Sequence, residues 1–321
     1  MEERYLERAL ELAAEARERA YPKPTVGTVV VAAGKIVGEG ATEAGRTGRH
    51  AERVALDVAG DAARGGTLYT TLEPCAHHGS TPPCTEATIE AGIARVAAGQ
   101  LDPNPNVEGG GLEKLRAAGL DVEVAAGEIA SRSRRQLEAW RTWVTLGRPF
   151  VTYKVAATLD GRVTLPGSRW VTGEASRRLV HELRACSDAV AVGAGTARAD
   201  DPRLDAREVD TPRGQPRRIA FGRGPLPDGS ELELRSSPLE HELRALAGEG
   251  VQSLLLEGGP TIAAAFLEQG VVDKLLVFVA PRLSGAGPTL LARLASPLKL
   301  TRLDATRVGE DVLLTAYVHE P

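Results

Sequence analysis

His50-Ala51-Glu52 is followed downstream by Pro74-Cys75-Ala76-His77-His78-Gly79-Ser80-Thr81-Pro82-Pro83-Cys84, and the reading of the whole chain turns on this pair of segments. One imidazole and two thiolates suit a Zn²⁺ ion with an open fourth position for water, and a glutamate two residues from the histidine can move protons on that water. H-x-E followed by P-C is the pattern of zinc-dependent base deaminases, in which the second cysteine usually comes after two residues. Here eight residues, 76–83, separate the cysteines. The competing readings are a structural zinc, which requires a fourth protein ligand that His77 or His78 could supply, and two unremarkable cysteines beside a surface histidine.

Around this core, 321 residues and 33.9 kDa give room for two domains, each able to bury its own interior. A net charge of −4 and a pI near 6.0 provide no basic field for general nucleic-acid binding, so an anionic ligand must be held by local arginines and backbone amides. The three cysteines, two of them in the loop just quoted and the third Cys186 in a helical stretch, do not form a disulfide framework. Met1-Glu2-Glu3-Arg4 has no basic-then-apolar signal pattern and no apolar run approaches a membrane span. A cytoplasmic protein with no nucleic-acid or membrane partner is expected.

Leu6, Leu10, Ala13 and Ala16 recur at helical spacing, which predicts an amphipathic helix over roughly the first twenty residues. Thr28-Val29-Val30-Val31 and Ile36-Val37 then flank Ala33-Gly34-Lys35 as a hairpin. The 50–56 segment starts a helix, 66–72 reads as a strand ending just before Cys75, and Cys84 opens a further helix whose amide dipoles favour a thiolate. Alternation continues through 94–98, 112–118 and 122–124, giving an α/β layered domain that ends near residue 127. Residues 128–146 read as a polar helix-like connector, and Gly147-Arg148-Pro149 breaks it. The domains are therefore expected at 1–146 and 147–321.

Strands are predicted in the second half at 150–156, 189–192, 253–256, 274–279 and 312–318, with a helix over 174–185. No G-x-G-x-x-G fingerprint follows an early strand, so a Rossmann domain is unsupported. Glycines instead cluster at two strand ends, Gly193-Ala194-Gly195-Thr196 and Glu257-Gly258-Gly259-Pro260, where backbone amides can meet phosphate or simply turn the chain.

The expanded two-cysteine loop closely resembles that of the bifunctional riboflavin-biosynthesis deaminase/reductase family. Thr71-Leu72-Glu73 and Asp102-Pro103-Asn104-Pro105 agree with it, as do Lys154, Thr158-Leu159-Asp160-Gly161, Asp200-Asp201-Pro202 and Glu257-Gly258-Gly259-Pro260 in the second half. The resemblance covers almost the whole chain. It implies a cytidine-deaminase-like three-layer domain followed by a dihydrofolate-reductase-like α/β domain. The implied substrate is a small phosphorylated pyrimidine ribotide, 2,5-diamino-6-(5-phosphoribosylamino)pyrimidin-4-one, deaminated first and then reduced with NADPH from ribosyl to ribityl. One Zn²⁺ per chain is implied on His50, Cys75 and Cys84, with Glu52 as the proton carrier. Substrate contacts fall on His77, Asp102 and Asn104 in the first half and on Lys154, Ser168, Arg184, Leu204, Arg207 and Glu257 in the second. NADPH contacts fall on Trp170, Thr196, Asp200, Gly258 and Gly259. A homo-oligomer is compatible with all of this.

Three departures from the family stand out. Lys23 lies between Pro22 and Pro24 where the family has asparagine, no histidine precedes His50 in 40–45, and the stretch between Gln215 and Glu257 is short, with Arg223 to Gly229 as a shortcut loop. Two rivals follow: a cytidine or tRNA-adenosine type deaminase with a second nucleotide-binding domain, and a homologue active at only one of two sites. A tRNA editor calls for a basic surface that the net charge does not suggest.

Overall fold

Gly27–Ala32, strand β1, is buried along nearly its whole length because both of its faces are covered. Val29 and Val31 pack with Leu6, Ala9 and Leu10 of helix α1 (Glu3–Ala20) and Ile129 of α5 (Gly127–Gln136). Val30 faces the other way, toward Ala55 and Leu56 of α2 (Ala51–Ala59), Ala87 of α3 (Cys84–Glu90) and Leu115 of α4 (Gly111–Ala117). The period of two along the strand thus makes a three-layer α/β/α arrangement. Each fully buried Leu or Val contributes about 1.5–3 kcal/mol to it. The computed structural model describes residues 2–45, 47–78, 82–105 and 110–321; Gly79, Ser80 and Thr81 of the two-cysteine loop lie outside the described residues.

The sheet of this first unit, Met1–Leu146, has the order β2-β1-β3-β4-β5. Strands β2 (Lys35–Ala41) and β3 (Thr67–Thr70) flank β1 antiparallel, and β4 (Arg95–Ala98) and β5 (Asp121–Val124) follow in parallel. Helix α2 rests hard on β2: a Cβ at Gly40 would stand 2.4 Å from the Ala51 carbonyl oxygen. The expected connector over 128–146 is corrected here. It is two helices, α5 and α6 (Glu138–Leu146), and Leu137 and Trp140 pack with Val26, Ala51 and Leu72 inside the first unit. Its charged outer face gave it the look of a linker.

The second unit, Gly147–Glu320, is built on an eight-stranded sheet, β12-β13-β11-β6-β10-β7-β8-β9. Strands β6 (Phe150–Thr158), β7 (Ala189–Gly193), β8 (Arg217–Phe221), β9 (Glu233–Arg235), β10 (Ser253–Leu256) and β11 (Lys274–Ala280) run parallel. The hairpin β12 (Thr301–Val308) and β13 (Asp311–Tyr317) closes one edge antiparallel. Val151, Tyr153, Ile219, Leu254, Leu256 and Phe266 centre the core, with Phe221 and Phe266 edge-to-face at 5.4 Å. Arg148 opens the unit with a bidentate pair to buried Asp273, both bonds 2.7 Å, and Asp273 also accepts the Val151 amide at the start of β6. Helices α7 (Glu174–Ala185), α8 (Ala194–Asp200), α9 (Leu239–Gly248) and α10 (Pro260–Glu268) complete it. Strands β8, β9 and β12 were not anticipated from the sequence.

Candidate active sites

In the first unit, His50 is the N-cap of α2, and Glu52 sits buried in the helix's first turn. Cys75 follows the end of β3 and Cys84 opens α3. These three side chains, far apart in sequence, place their ligand atoms within 4.8 Å of one another. His50 presents Nδ1, which lies 3.6 Å from Cys75 Sγ and 3.3 Å from Cys84 Sγ. The Cys84 amide donates to Cys75 Sγ at 3.3 Å, the helix-start stabilisation expected for a thiolate.

The electrostatics match a cation site. Hydrogen bonding from Cys84 brings the Cys75 thiol down to about 4, while the same contact together with burial pushes the Cys84 thiol far up. Two sulfurs sharing one proton in this way are a position from which a divalent cation displaces that proton. Three soft and borderline donors fit Zn²⁺. His77 and His78 are not in the cluster, so among the described residues the set stays at three and the structural-zinc alternative loses its fourth ligand. Burial lifts the Glu52 carboxyl to about 7, with His50 opposing and Cys75 adding to the rise, which suits a group that must take and return a proton.

A cavity of about 210 Å³ opens beside this cluster, and its walls include His50, Glu52, Cys75, His77, Asp102 and Asn104. The structure therefore brings the three family-implied substrate residues to the same space as the metal set. The 102–104 turn is held by Glu73, which accepts the Asp102 amide at 3.0 Å and the Leu112 amide at 2.9 Å; Asp102 in turn accepts the Asn104 amide at 2.9 Å. Burial raises the Asp102 carboxyl. Lys23 also lines the cavity, with Nζ donating to the Gly48 carbonyl at 2.5 Å, and burial lowers its pKa. Trp140 of α6 forms another wall. The sequence reading missed Glu73 and Trp140 as site residues; the apolar i, i+3 spacing of Leu137 and Trp140 was the available signal for the second.

In the second unit the polar centre lies where β6 and β10 adjoin. Glu257, immediately after β10, is buried and accepts from Lys154 Nζ at 3.0 Å, from Arg184 Nε at 2.6 Å and from Arg184 Nη2 at 3.1 Å. Burial alone would raise this carboxyl, but Lys154 and Arg184 outweigh it and hold Glu257 at about 2. The blander readings of an exposed strand lysine and a solvated helix arginine do not hold: each side chain is 14% exposed. Arg184 Nη1 also donates to the Asp205 carbonyl at 3.0 Å, tying α7 to the loop that carries Leu204 and Arg207. In that loop Leu204 is buried at φ +52°, and Arg207 is exposed, 3.3 Å from Asp205. His181, unflagged by the sequence, accepts the Arg207 amide at 3.2 Å.

A separate cleft of about 490 Å³ lies over the carboxyl ends of β7, β8 and β10, the usual ligand edge of a parallel sheet. Thr196 and Gly259 line it. A Cβ at Gly259 would stand 3.6 Å from Thr196 Oγ1, filling space that bare backbone leaves for a ligand. A Cβ at Gly258 would meet Ile262 Cγ2 at 2.1 Å, so any other residue there must displace the Ile262 side chain. A glycine-walled cleft of this kind fits a dinucleotide. Trp170 and Asp200 are not among its described walls: Trp170 is an exposed ring under the guanidinium groups of Arg169 and Arg177, and Asp200 ends α8 in solvent. Ser168 makes a turn, its Oγ donating to the Trp170 carbonyl at 2.9 Å.

A zinc-type histidine and cysteine set on a three-layer sheet, followed by a parallel-sheet unit with a glycine-walled cleft, defines a two-part enzyme of the deaminase and reductase class. Residues 1–100 match the cytidine and deoxycytidylate deaminase zinc-binding region, and residues 149–314 match the RibD C-terminal domain. The chain belongs to the RibD family of riboflavin biosynthesis proteins. It is 38% identical to the riboflavin biosynthesis protein RibD of Aquifex aeolicus, covering 98% of both chains, and 37% identical to that of Escherichia coli K12, again covering 98% of both. Among solved structures it resembles Acinetobacter baumannii RibD (TM-score 0.84, 32% identity). It is equally similar to the diaminohydroxyphosphoribosylaminopyrimidine deaminase/5-amino-6-(5-phosphoribosylamino)uracil reductase of Thermotoga maritima (TM-score 0.84, 34% identity); coverage is 98% of each chain in both comparisons. Among the described residues no helix is long and apolar enough to cross a membrane.

Proposed function

We propose that this chain carries out two consecutive steps of riboflavin biosynthesis: hydrolytic deamination of 2,5-diamino-6-(5-phosphoribosylamino)pyrimidin-4-one in the first unit, then NADPH-dependent reduction of the ribosyl group to ribityl in the second. The observation that carries the reading is the convergence of His50, Cys75 and Cys84 within 4.8 Å beside a cavity that Glu52 also lines. Bound there, zinc supplies Lewis acidity and an open position for water at neutral pH. Glu52 takes a proton on a carboxylate oxygen and returns it to the departing ammonia, from a buried position in the first turn of α2 on the wall of the same cavity. His77, Asp102 and Asn104, which line the same cavity, orient the pyrimidine and its ribose phosphate.

In the second unit bound NADPH would supply a hydride to C1′ of the ribosylamino group, while the bond from C1′ to the ring oxygen breaks and that oxygen takes a proton from solvent to become a hydroxyl. The chain's own part is placement. Thr196 and Gly259 face the cofactor, Gly258 lets the same turn close against Ile262, and the family resemblance assigns Trp170 and Asp200 to the cofactor as well. Arg207 and Ser168 offer donors to the ribose phosphate beside Leu204, and Arg184 and Lys154 share their positive charge between Glu257 and substrate. Incubation of the holoprotein with the diaminopyrimidine ribotide tests the reading. Ammonia release without NADPH, and NADPH oxidation only after that release, is the expected pattern. Absence of ammonia release from a zinc-loaded sample would overturn it.

A further inference from the structure

We propose that Arg198 and Arg223 form the subsite for the 2′-phosphate of NADPH and so set the preference of this chain for NADPH over NADH. The inference rests on the reading of the glycine-walled cleft as the dinucleotide site. Both arginines line that cleft, on the side where β8 ends. Arg198 Nη1 donates to the Arg223 carbonyl at 3.0 Å, which fixes the two residues to one wall. Gly222 makes this possible: at φ +136° the chain leaves β8 against α8, and a Cβ there would stand 3.0 Å from Ala194 Cβ.

Charge pairing singles out these two residues. On the same two strands, Arg217 and Arg218 of β8 and Arg235 of β9 are each matched to glutamates, at 2.7 Å for Arg217–Glu233 and 2.6 Å for Arg218–Glu231. Among the described residues neither Arg198 nor Arg223 has a carboxylate within ion-pair distance, and no Asp or Glu lines the cleft. A site for NADH holds the ribose 2′-hydroxyl with an acid, whereas arginine accommodates the 2′-phosphate. Two unmatched guanidinium groups beside a carboxylate-free cleft have the charge and the planar donors for a phosphate dianion.

The test is equilibrium binding to the full-length zinc-loaded protein, using NADPH, NADH and 2′,5′-ADP as probes and titration calorimetry as the readout. Wild type is expected to bind NADPH more tightly than NADH, and to bind 2′,5′-ADP. Arg198→Ala and Arg223→Ala should each weaken NADPH and 2′,5′-ADP by about tenfold while leaving NADH unchanged, as expected for loss of one charge-assisted contact. Arg198→Lys and Arg223→Lys should retain most of the preference. Equal losses for NADPH and NADH, or an unchanged ratio, would overturn the arginine assignment while leaving the cleft reading intact. Failure of wild type to bind any of the three probes would overturn the cleft reading, and the assignment with it.

Discussion

His50, Glu52, Cys75 and Cys84 were legible in the sequence because metal chemistry demands particular residue types, and His-Ala-Glu followed by Pro-Cys presents them in a recognisable order. Their partners were not. Glu73, which holds the 102–104 turn, and the Lys23 bond to the Gly48 carbonyl are choices made by tertiary packing, and no local pattern encodes them. The residues Lys154, Arg184 and Glu257 were likewise readable, but not that they engage one another. At Glu52 the expectation is direct: Glu52→Gln keeps one zinc per chain by elemental analysis and loses deamination by about 10²–10⁴-fold. Loss of zinc in that variant would remove the residue from its assigned role. At Lys23, pairing with Gly48 indicates that the site accommodates the lysine, so Lys23→Asn should lower deaminase kcat/KM by about tenfold through loss of the bond to the half-buried Gly48 carbonyl. A rise in activity would show instead that the carboxamide is the better fit. Glu257 makes a pH prediction. Its folded pKa of about 2 lies below the ordinary 4.5, so its contribution to stability is present above 4.5 and is lost as pH falls through that value toward 2. Glu257→Gln should lower stability at neutral pH by about 3–5 kcal/mol, since it strands two buried cations. It should also flatten the fall in melting temperature across that acid window, as scanning calorimetry can measure.

At the level of elements, strongly patterned segments read correctly and weakly patterned ones did not. Strand β1 is a valine run and α1 an amphipathic repeat, whereas β8 opens with two arginines, β9 has three residues and β12 is exposed along its length. Helix α6 buries Trp140 in the first unit but follows the arginine-rich α5 directly, and the charge of that neighbour is why the pair passed for a connector. The element that matters most for chemistry is α2, whose first turn carries Glu52 and whose N-cap is His50. Its position depends on glycine below it. Gly40→Ala puts a methyl 2.4 Å from the Ala51 carbonyl and 2.5 Å from the Ala55 amide, both backbone. The helix must lift, at a cost of about 1–3 kcal/mol. Zinc affinity and ammonia release should fall together in this variant, with NADPH oxidation on deaminated ribotide retained. Wild-type zinc affinity in Gly40→Ala would show that the helix tolerates the displacement without moving His50.

On the scale of the whole molecule, the proposed chemistries draw on different compact units: among the described residues His50, Cys75 and Cys84 cluster within Met1–Leu146, and Lys154, Arg184 and Glu257 within Gly147–Glu320. The central claim is therefore two independent sites acting in order. Crossing one variant from each site in a single product analysis tests it most directly. Given the diaminopyrimidine ribotide and NADPH, Glu52→Gln should release ammonia about 10²–10⁴-fold more slowly yet reduce supplied deaminated ribotide at the wild-type rate. Arg207→Ala should release ammonia normally and show a raised KM for reduction. A parallel fall of both activities in either variant would contradict the account, because it would mean that one site performs both reactions.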